Sequence, residues 1–280
     1  IVNAIKRTDI AANFGLVAAI ATISMLLMMG LCKLIFIKSK NKKATDVYAF
    51  IAAFSNCGFM GIPFVEMYTG GDPLAVMYMM VFNVMFTVLC WTFGVVLITG
   101  DIKQVSPKKL LCNPAILSVA VGLLLFFVPQ INFFMFDGCE VLQMFPQYLS
   151  YMTAPLSMVI VGIRIAEMSP KTLFLNKGNY VAGGLRLIIA PFLTFAAAIP
   201  FFYILQSARG GVSGIDEYVF LAPVIAMTMS PAASVVAMAE SFDGDKDTAA
   251  SAFVTVTLIS IITVPLVIMA LMACWGAFTA

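Results

Sequence analysis

Long apolar runs constrain this chain more than any other feature of its sequence. Charged or turn-forming residues separate eight of them, and each is long enough to cross a lipid bilayer as a helix. Because the bilayer core offers no water to unpaired backbone groups, such runs form helices or closed barrels, and their length here is that of helices. The predicted spans are residues 13–32, 47–68, 73–99, 110–128, 145–163, 180–205, 218–239 and 248–277. The sequence therefore predicts an all-α transmembrane protein.

Two of these runs contain helix-breaking residues near their middle. The second run holds residues 54–63 and the seventh holds residues 228–233, and both stretches combine proline with small or polar residues. A proline inside a helix removes one hydrogen bond and costs about 3 kcal/mol. In lipid, such a break is tolerated where protein or a wet cavity satisfies the freed groups. Paired breaks in two halves of a chain point to the binding site of a transporter.

A weak internal repeat relates the seventh run to the second at a spacing of 174 residues. The matched pairs are Glu66 with Glu240, Tyr68 with Phe242, Gly70 with Gly244, Ala75 with Ala249 and Asn56 with Ser230. The second run should lead outward and the seventh inward, which makes the two units an inverted repeat. Spans one to three then correspond to spans six to eight. Spans four and five lack partners, so we expect two further helices before Ile1 and ten helices in the parent protein.

The breaks predict the ends of half-helices at mid-membrane. Ser230 followed by Pro231 is a favoured N-cap and first helical residue, and Ser55 with Asn56 offers a similar cap in the first break. The free N–H groups and positive dipole ends of two such half-helices would suit an anion such as a carboxylate. The alternative is that the prolines only kink their helices, with Gly58 allowing close packing.

Three other polar features of the runs have alternative interpretations. Glu66 and Glu240 are candidate ion-coupling residues, which either carry a proton or cation or are hydrated at the interface. Arg186 either snorkels to the cytoplasmic surface or supplies positive charge to the anion path. Asn113 and Pro114 open the fourth run and fit an ordinary capped helix start.

Composition excludes several functional classes. The chain is 62% hydrophobic and 11% charged, with a net charge of +2, so nothing favours a soluble domain or a nucleic-acid partner. It has no histidine, the commonest metal ligand and general base, and its six cysteines show no metal-binding spacing. We therefore expect no metal site, no cofactor and no enzyme active site.

Lysine and arginine concentrate in alternate connectors, which predicts the orientation of the chain. The loops after the first, third, fifth and seventh runs are basic, whereas the intervening connectors hold a single basic residue, Arg209. Basic loops stay in the cytoplasm, so both ends of this chain should lie outside. We expect one multi-pass domain over residues 1–280 in the cell membrane, of the bacterial inner-membrane type.

The first break resembles a family motif. Residues 56–63 resemble the Asn-x-x-x-x-Gly-Ile-Pro stretch of the auxin efflux carrier family, which contains plant PIN-FORMED carriers and bacterial permeases for malate or malonate. Further segments resemble the family in the expected order: residues 113–114, 154–157 with 162, 230–240, 250–251 and 260–265. The resemblance covers nearly the whole chain and would make its eight spans helices three to ten of the family.

The resemblance implies a fold like that of bile-acid symporters and sodium/proton antiporters, an inverted-repeat bundle in which two broken helices cross at their middles. A transport subdomain would comprise residues 13–100 and 178–280, and residues 108–166 would belong to a scaffold. Together with the two missing helices, the scaffold would form a homodimer interface in the full-length protein. Transport would follow an elevator mechanism.

The resemblance also implies a substrate site. Its residues would be Asn56, Cys57, Gly58, Asn113, Pro114, Ser230 and Pro231. Ala115 replaces the second asparagine of the family's Asn-Pro-Asn segment, and Ser55 stands where plant members have proline. These departures favour a small organic anion other than auxin.

The predicted function is secondary active or facilitative transport of small organic anions, such as malate, malonate or auxin-like acids, with H⁺ or Na⁺ as candidate coupling ions. A cation/proton antiporter on the related fold, using Glu66 or Glu240, is the alternative. A membrane-embedded enzyme and a non-transporting sensor on a carrier fold are two further alternatives. Uptake separates a carrier from a sensor, because a sensor binds its ligand without flux.

Overall fold

The computed structural model describes residues 7–100, 176–209 and 217–279, together with isolated helical positions between 117 and 166. Within these ranges the chain is helical apart from turns, short connectors and one isolated antiparallel bridge. This confirms the predicted all-α fold. Asn113 and Pro114 lie outside the described residues, as does most of the range 108–166 with its two predicted spans.

Ten helices occupy the described ranges. They are α1 (Arg7–Ile35), α2 (Lys42–Ala53), α3 (Ile62–Tyr68), α4 (Pro73–Leu89), α5 (Val95–Thr99), α6 (Lys177–Gly184), α7 (Ala190–Arg209), α8 (Tyr218–Thr228), α9 (Ser234–Ser241) and α10 (Lys246–Thr279). Single π turns extend three of them: Cys57–Gly61 leads into α3, Cys90–Gly94 joins α4 to α5, and Leu185–Ile189 joins α6 to α7. A π turn inserts one extra residue and often marks a functional position.

Four continuous helices among the described residues are long and apolar enough to cross a membrane. They are Ala12–Ile35, Pro73–Thr99, Lys177–Ser207 and Lys246–Phe278. The last of them exposes a row of large apolar side chains, which suits contact with lipid: Leu258, Ile261, Ile262, Leu266 and Met269. The predicted spans 47–68 and 218–239 are each divided into two shorter helices, as expected from their breaks.

The order long helix, broken helix, long helix occurs twice, in agreement with the predicted repeat. The first unit is α1, the broken pair α2–α3 and the α4–α5 helix; the second is the α6–α7 helix, the broken pair α8–α9 and α10. Matching aspartates cap the third helix of each unit. Asp72 accepts from the N–H groups of Leu74 and Ala75, and Asp245 accepts from that of Thr248.

The two units interlock. α8 packs against α4, α1 packs against α7 and α8, and α2 packs against α6 and α10. Each unit has a buried asparagine that links its first helix to its third: Asn13 donates to the Tyr78 hydroxyl at 2.9 Å, and Asn179 donates to the Ser251 hydroxyl at 3.2 Å. Buried apolar side chains from both units form one continuous core around these contacts. This packing brings the two helix breaks together.

Candidate functional site

The two helix breaks meet in the antiparallel bridge, where Ser55 pairs with Pro231. Two backbone hydrogen bonds flank the pair, from the Asn56 N–H to the Ser230 carbonyl (2.8 Å) and from the Ala232 N–H to the Phe54 carbonyl (3.0 Å). Each break thereby satisfies backbone groups that the other leaves without a helical partner, as a bilayer interior requires. The predicted pair of breaks is confirmed, and the broken helices cross at their middles.

The bridge corrects the register of the repeat. A local two-fold symmetry relates the two hydrogen bonds that flank the bridge, because placing Ser55 on Pro231 converts one bond into the other. Ser55 and Pro231 are therefore structural equivalents, and they are 176 positions apart. Asn56 therefore corresponds to Ala232, and the predicted match of Asn56 with Ser230 at a spacing of 174 is wrong. The spacing shortens to 173 at the aspartate caps of the third helices. The first unit thus has three more residues after the bridge, and its π turn accommodates one of them.

Ser230 and Pro231 do not start the second half-helix, contrary to prediction. α9 begins at Ser234, with Ala233 in the N-cap position and no side-chain cap. The Ser230 carbonyl is engaged in the bridge, and its hydroxyl donates to the Met60 Sδ at 3.0 Å. Pairing between the breaks therefore overrides the local preference of a Ser-Pro sequence for a helix start.

The first break also departs from its predicted cap. The Asn56 side chain caps nothing, and its carbonyl accepts from two N–H groups of the π turn. The second half-helix opens with this π turn and continues through α3, so Cys57 and Gly58 hold first-turn positions whose N–H groups have no acceptor within a helix. Pro63 follows as the second residue of α3, where proline is tolerated.

A cavity of about 240 Å³ opens at the crossing. Both breaks and the α4–α5 helix line it: Ser55, Asn56, Gly58, Phe59, Asn83, Phe86, Thr87, Trp91, Ala232, Ala233 and Ser234. Of the predicted site residues, Asn56 and Gly58 belong to this lining. Cys57 is buried beside it, and its thiol donates to the Asn83 Oδ1 at 3.4 Å. The bridge residues Ser230 and Pro231 are not part of the lining.

The α4–α5 helix supplies cavity side chains that the sequence patterns did not predict. Asn83, Thr87 and Trp91 follow at four-residue intervals and therefore lie on one face of the helix. The Thr87 hydroxyl donates to the Asn83 carbonyl at 2.8 Å, which ties it to its own helix. The available signal was an asparagine in the middle of the otherwise apolar run 73–99.

The cavity presents hydrogen-bonding groups on a largely apolar wall. The Asn56 side chain makes no capping bond, and the described contacts of Asn83 engage its oxygen atoms, so amide N–H₂ groups remain for a ligand. Ser55 is fully buried, and its hydroxyl has the Cys57 thiol nearby but no hydrogen bond in the described part of the chain. No acidic side chain belongs to the lining. The arrangement suits a ligand with a hydrogen-bond-accepting head and an apolar body.

Arg186 lies behind the crossing and is fully buried. Its guanidinium donates to four backbone carbonyls of the two broken helices: Ala52 (3.0 Å), Ala53 (3.3 Å), Met227 (2.8 Å) and Met229 (3.2 Å). The side chain therefore does not snorkel to the cytoplasmic surface. It is also not part of the cavity lining, so any effect on a bound anion acts through the helix ends or through space.

Glu66 and Glu240 are exposed, near the C-terminal ends of α3 and α9. Neither belongs to the cavity lining, and their exposure agrees with hydration at the interface. Arg186 is the one fully buried charged side chain among the described residues. In the same ranges there is no group of three or more His, Cys, Asp or Glu that could hold a metal ion. The described core thus offers no buried carboxylate for ion coupling.

Comparison with known proteins adds one finding. A family model described as membrane transport protein matches residues 98–268, which is more than half of the chain. The matched range includes Arg186, the second break and most of α10. No curated protein matches the chain.

Proposed function

Since the chain belongs to the membrane transport protein family, we propose that it carries small organic anions across the membrane through the cavity between its two helix breaks. The family is one of transporters rather than enzymes. The closer relation to auxin efflux carriers is part of the proposal. Its support is the resemblance of residues 56–63, at the first break, to the motif of those carriers.

One observation carries the proposal: the cavity touches the start of both second half-helices. Gly58 lies in the π turn that opens the first of them, and Ser234 is the first residue of α9. Helix N-termini carry partial positive charge and unpaired N–H groups, so they stabilise a carboxylate. Asn56 and Asn83 add amide donors that can reach carboxylate oxygens.

The remainder of the lining favours an acid with an apolar body. Phe59, Phe86 and Trp91 form aromatic walls, and no lysine or arginine lies among the lining residues. A second carboxylate would be desolvated here without a cationic partner, which is costly. We therefore place aromatic or branched aliphatic monocarboxylates ahead of malate and malonate as substrates.

The proposal includes an elevator mechanism. The bridge and the interlocked helices support a transport subdomain of residues 13–100 and 178–280 that moves as one body. Residues 108–166 would then form the scaffold and the homodimer interface of the full-length protein. The protein would lie in the cell membrane with its basic loops in the cytoplasm.

Uptake by the full-length protein in liposomes tests the proposed function. The liposomes would be offered phenylacetate, isovalerate, malate and malonate at two pH values, with protein-free liposomes as the control. We expect saturable uptake, faster for the two monocarboxylates. Absence of uptake of every acid would contradict the proposal. Sodium-dependent proton exchange without any organic acid would instead support the cation/proton antiporter.

A further inference from the structure

We infer that Arg186 is a positioning residue for the anion site, because its guanidinium caps the carbonyl ends of both first half-helices and leaves the N-terminal ends of the second half-helices to face the substrate. The inference rests on the proposed function, since it concerns how the same cavity favours an anion. The residue lies outside the cavity lining and acts through the two helix ends that it holds.

The first support is the distribution of its hydrogen bonds. Nη1 donates to the last turn of α2, at the carbonyls of Ala52 and Ala53. Nη2 donates to the carbonyl of Met227 in the last turn of α8, and Nε donates to that of Met229 in the second break. The planar guanidinium of Arg186 therefore binds the C-terminal ends of α2 and α8 at the same time. Charge-assisted bonds of this kind are roughly twice as strong as neutral ones.

The second support is electrostatic. Four helix ends meet at the crossing, two C-terminal ends with partial negative charge and two N-terminal ends with partial positive charge. In an interior of low effective dielectric, the negative ends would repel an anion across the short distance of the crossing. The Arg186 charge compensates these ends, and its own field also attracts the anion.

The third support is burial without an acidic partner in the described part of the chain. Arg186 is fully buried, and the ion pairs of the described residues, Lys33–Asp46 and Lys43–Asp243, do not involve it. A buried cation is costly unless it is compensated. Here helix carbonyls provide that compensation, so no carboxylate of the described residues cancels the positive charge, which remains available to the site.

Local structure explains how the side chain reaches both helices. Arg186 lies in the Leu185–Ile189 π turn, which joins α6 to α7 and adds one residue to that long helix. α6 packs against α2, and the π turn packs against α2 and α8. The guanidinium fork can serve several carbonyls at once, whereas a lysine ammonium supplies the charge from one compact point.

A binding experiment separates this role from simple structural support. The chain has two tryptophans, and Trp91 lines the cavity while Trp275 packs among aromatic side chains of α7, α8 and α10. In a variant of the full-length protein in which Trp275 and every tryptophan outside these 280 residues are replaced by phenylalanine, Trp91 fluorescence reports binding in detergent. The probes are two matched pairs of acid and neutral amide, phenylacetate with phenylacetamide and malonate with malonamide.

We expect Arg186→Gln to raise the Kd of the bound acid about tenfold, because the compensating charge is lost, and to raise the Kd of its amide less than about threefold. Arg186→Lys keeps the charge, so its acid-to-amide ratio should stay within about threefold of that of the parent protein even where its thermal stability falls. The ratio in this variant tests the inference if Arg186→Gln does not fold.

Asn179→Ala is the matched control. Asn179 is also fully buried on the same long helix, but it contacts α10 rather than the crossing. This variant should lose stability and keep the acid-to-amide ratio. If Arg186→Gln weakens acid and amide equally, or weakens neither, the inference is overturned. If the parent protein binds no acid, the proposed function fails first and the inference falls with it.

Discussion

The two helix breaks share one backbone arrangement but contribute different chemistry. The first break opens its second half-helix with a π turn and supplies Asn56, Gly58 and Phe59 to the cavity. The second break has no π turn and supplies two alanines and Ser234. The symmetric hydrogen bonds of the bridge set where the helices cross, whereas we expect the unequal side chains to determine what binds there.

The third helices of the two units also differ in the side chains that they contribute to the cavity. The α4–α5 helix faces the cavity with Asn83. At the 173-residue spacing of the aspartate caps, the corresponding residue of α10 is Val256, which is fully buried. A Cβ atom added to Gly183 would lie 3.2 Å from the Cγ2 atom of Val256, so close apolar packing fills this side of the second unit. We therefore expect side-chain recognition to come from the first unit, while the second contributes the N-terminal end of α9 and, from behind the crossing, Arg186.

Among the substitutions that test this difference between the units, Asn56→Ala should have the largest effect on uptake. Removal of an amide that bonds a charged group costs about 1.5–3 kcal/mol, so the KM for uptake of an acid should rise at least about tenfold. The protein should still fold, because the described Asn56 side chain makes no capping bond. Uptake kinetics and thermal unfolding would be measured together.

Asn179→Ala provides the control for this variant. It removes a buried amide that donates to Ser251, outside the cavity, so it should lower the melting temperature and leave KM unchanged. Unchanged uptake kinetics in Asn56→Ala would remove that residue from the site and end the assignment of recognition to the first unit.

Gly58→Ala should have the next largest effect. The added Cβ atom would lie 3.0 Å from the Asn83 Oδ1, so either the asparagine or the π turn must shift. A shift of a few tenths of an ångström at a binding site should lower the affinity for an acid about fivefold. Gly30→Ala is the matched control, because a Cβ atom at Gly30 meets nothing within 4 Å. Equal uptake by the two variants would show that the Gly58–Asn83 contact is not part of the site.

Trp91→Leu should have a smaller and selective effect. Loss of aromatic contact is worth about 0.5–1.5 kcal/mol beyond buried area, and at the lower end of this range phenylacetate should lose about threefold more affinity than isovalerate. Competition of each acid against uptake of the other measures this difference. A uniform loss for both acids would mean that Trp91 does not contact the apolar body of the substrate.

Ser234→Ala should have the smallest effect. The Ser234 hydroxyl lies 3.7 Å from the Cys90 Sγ, and the second break is expected to act through its backbone N–H groups. KM should therefore change by less than about twofold, since the serine side chain adds at most a weak bond. A tenfold rise would place side-chain recognition on both breaks and contradict the asymmetry between them.

The physical constraints of a lipid bilayer allowed the described fold to be predicted from the sequence. The length of the apolar runs and the cost of unpaired backbone groups in lipid predicted the described helices and the two breaks, and residue matches with the charge of the loops predicted the repeat. The cap assigned to Ser230 and Pro231 was wrong, because the bridge joins residues 176 positions apart and no local pattern specifies such pairing. The register of the repeat was wrong by two residues at the breaks for the same reason.

Side-chain placement was less predictable than helix position. Asn83, Thr87 and Trp91 share one helical face, but a helix that is apolar all round gives no sign of which face meets a cavity. Arg186 is one and a half turns inside its predicted span, where snorkelling to the surface is the usual outcome. Its burial depends on carbonyls of two other helices, which only the assembled crossing brings together.

The most direct test of the central claim is to locate acid binding with the two tryptophans. Phenylacetate would be titrated into two single-tryptophan variants of the full-length protein, with all other tryptophans replaced by phenylalanine. One retains Trp91 in the cavity, and the other retains Trp275. We predict a saturable change in Trp91 fluorescence with the same half-saturation as uptake, and none from Trp275. Saturable uptake with a silent Trp91 would contradict binding between the two breaks.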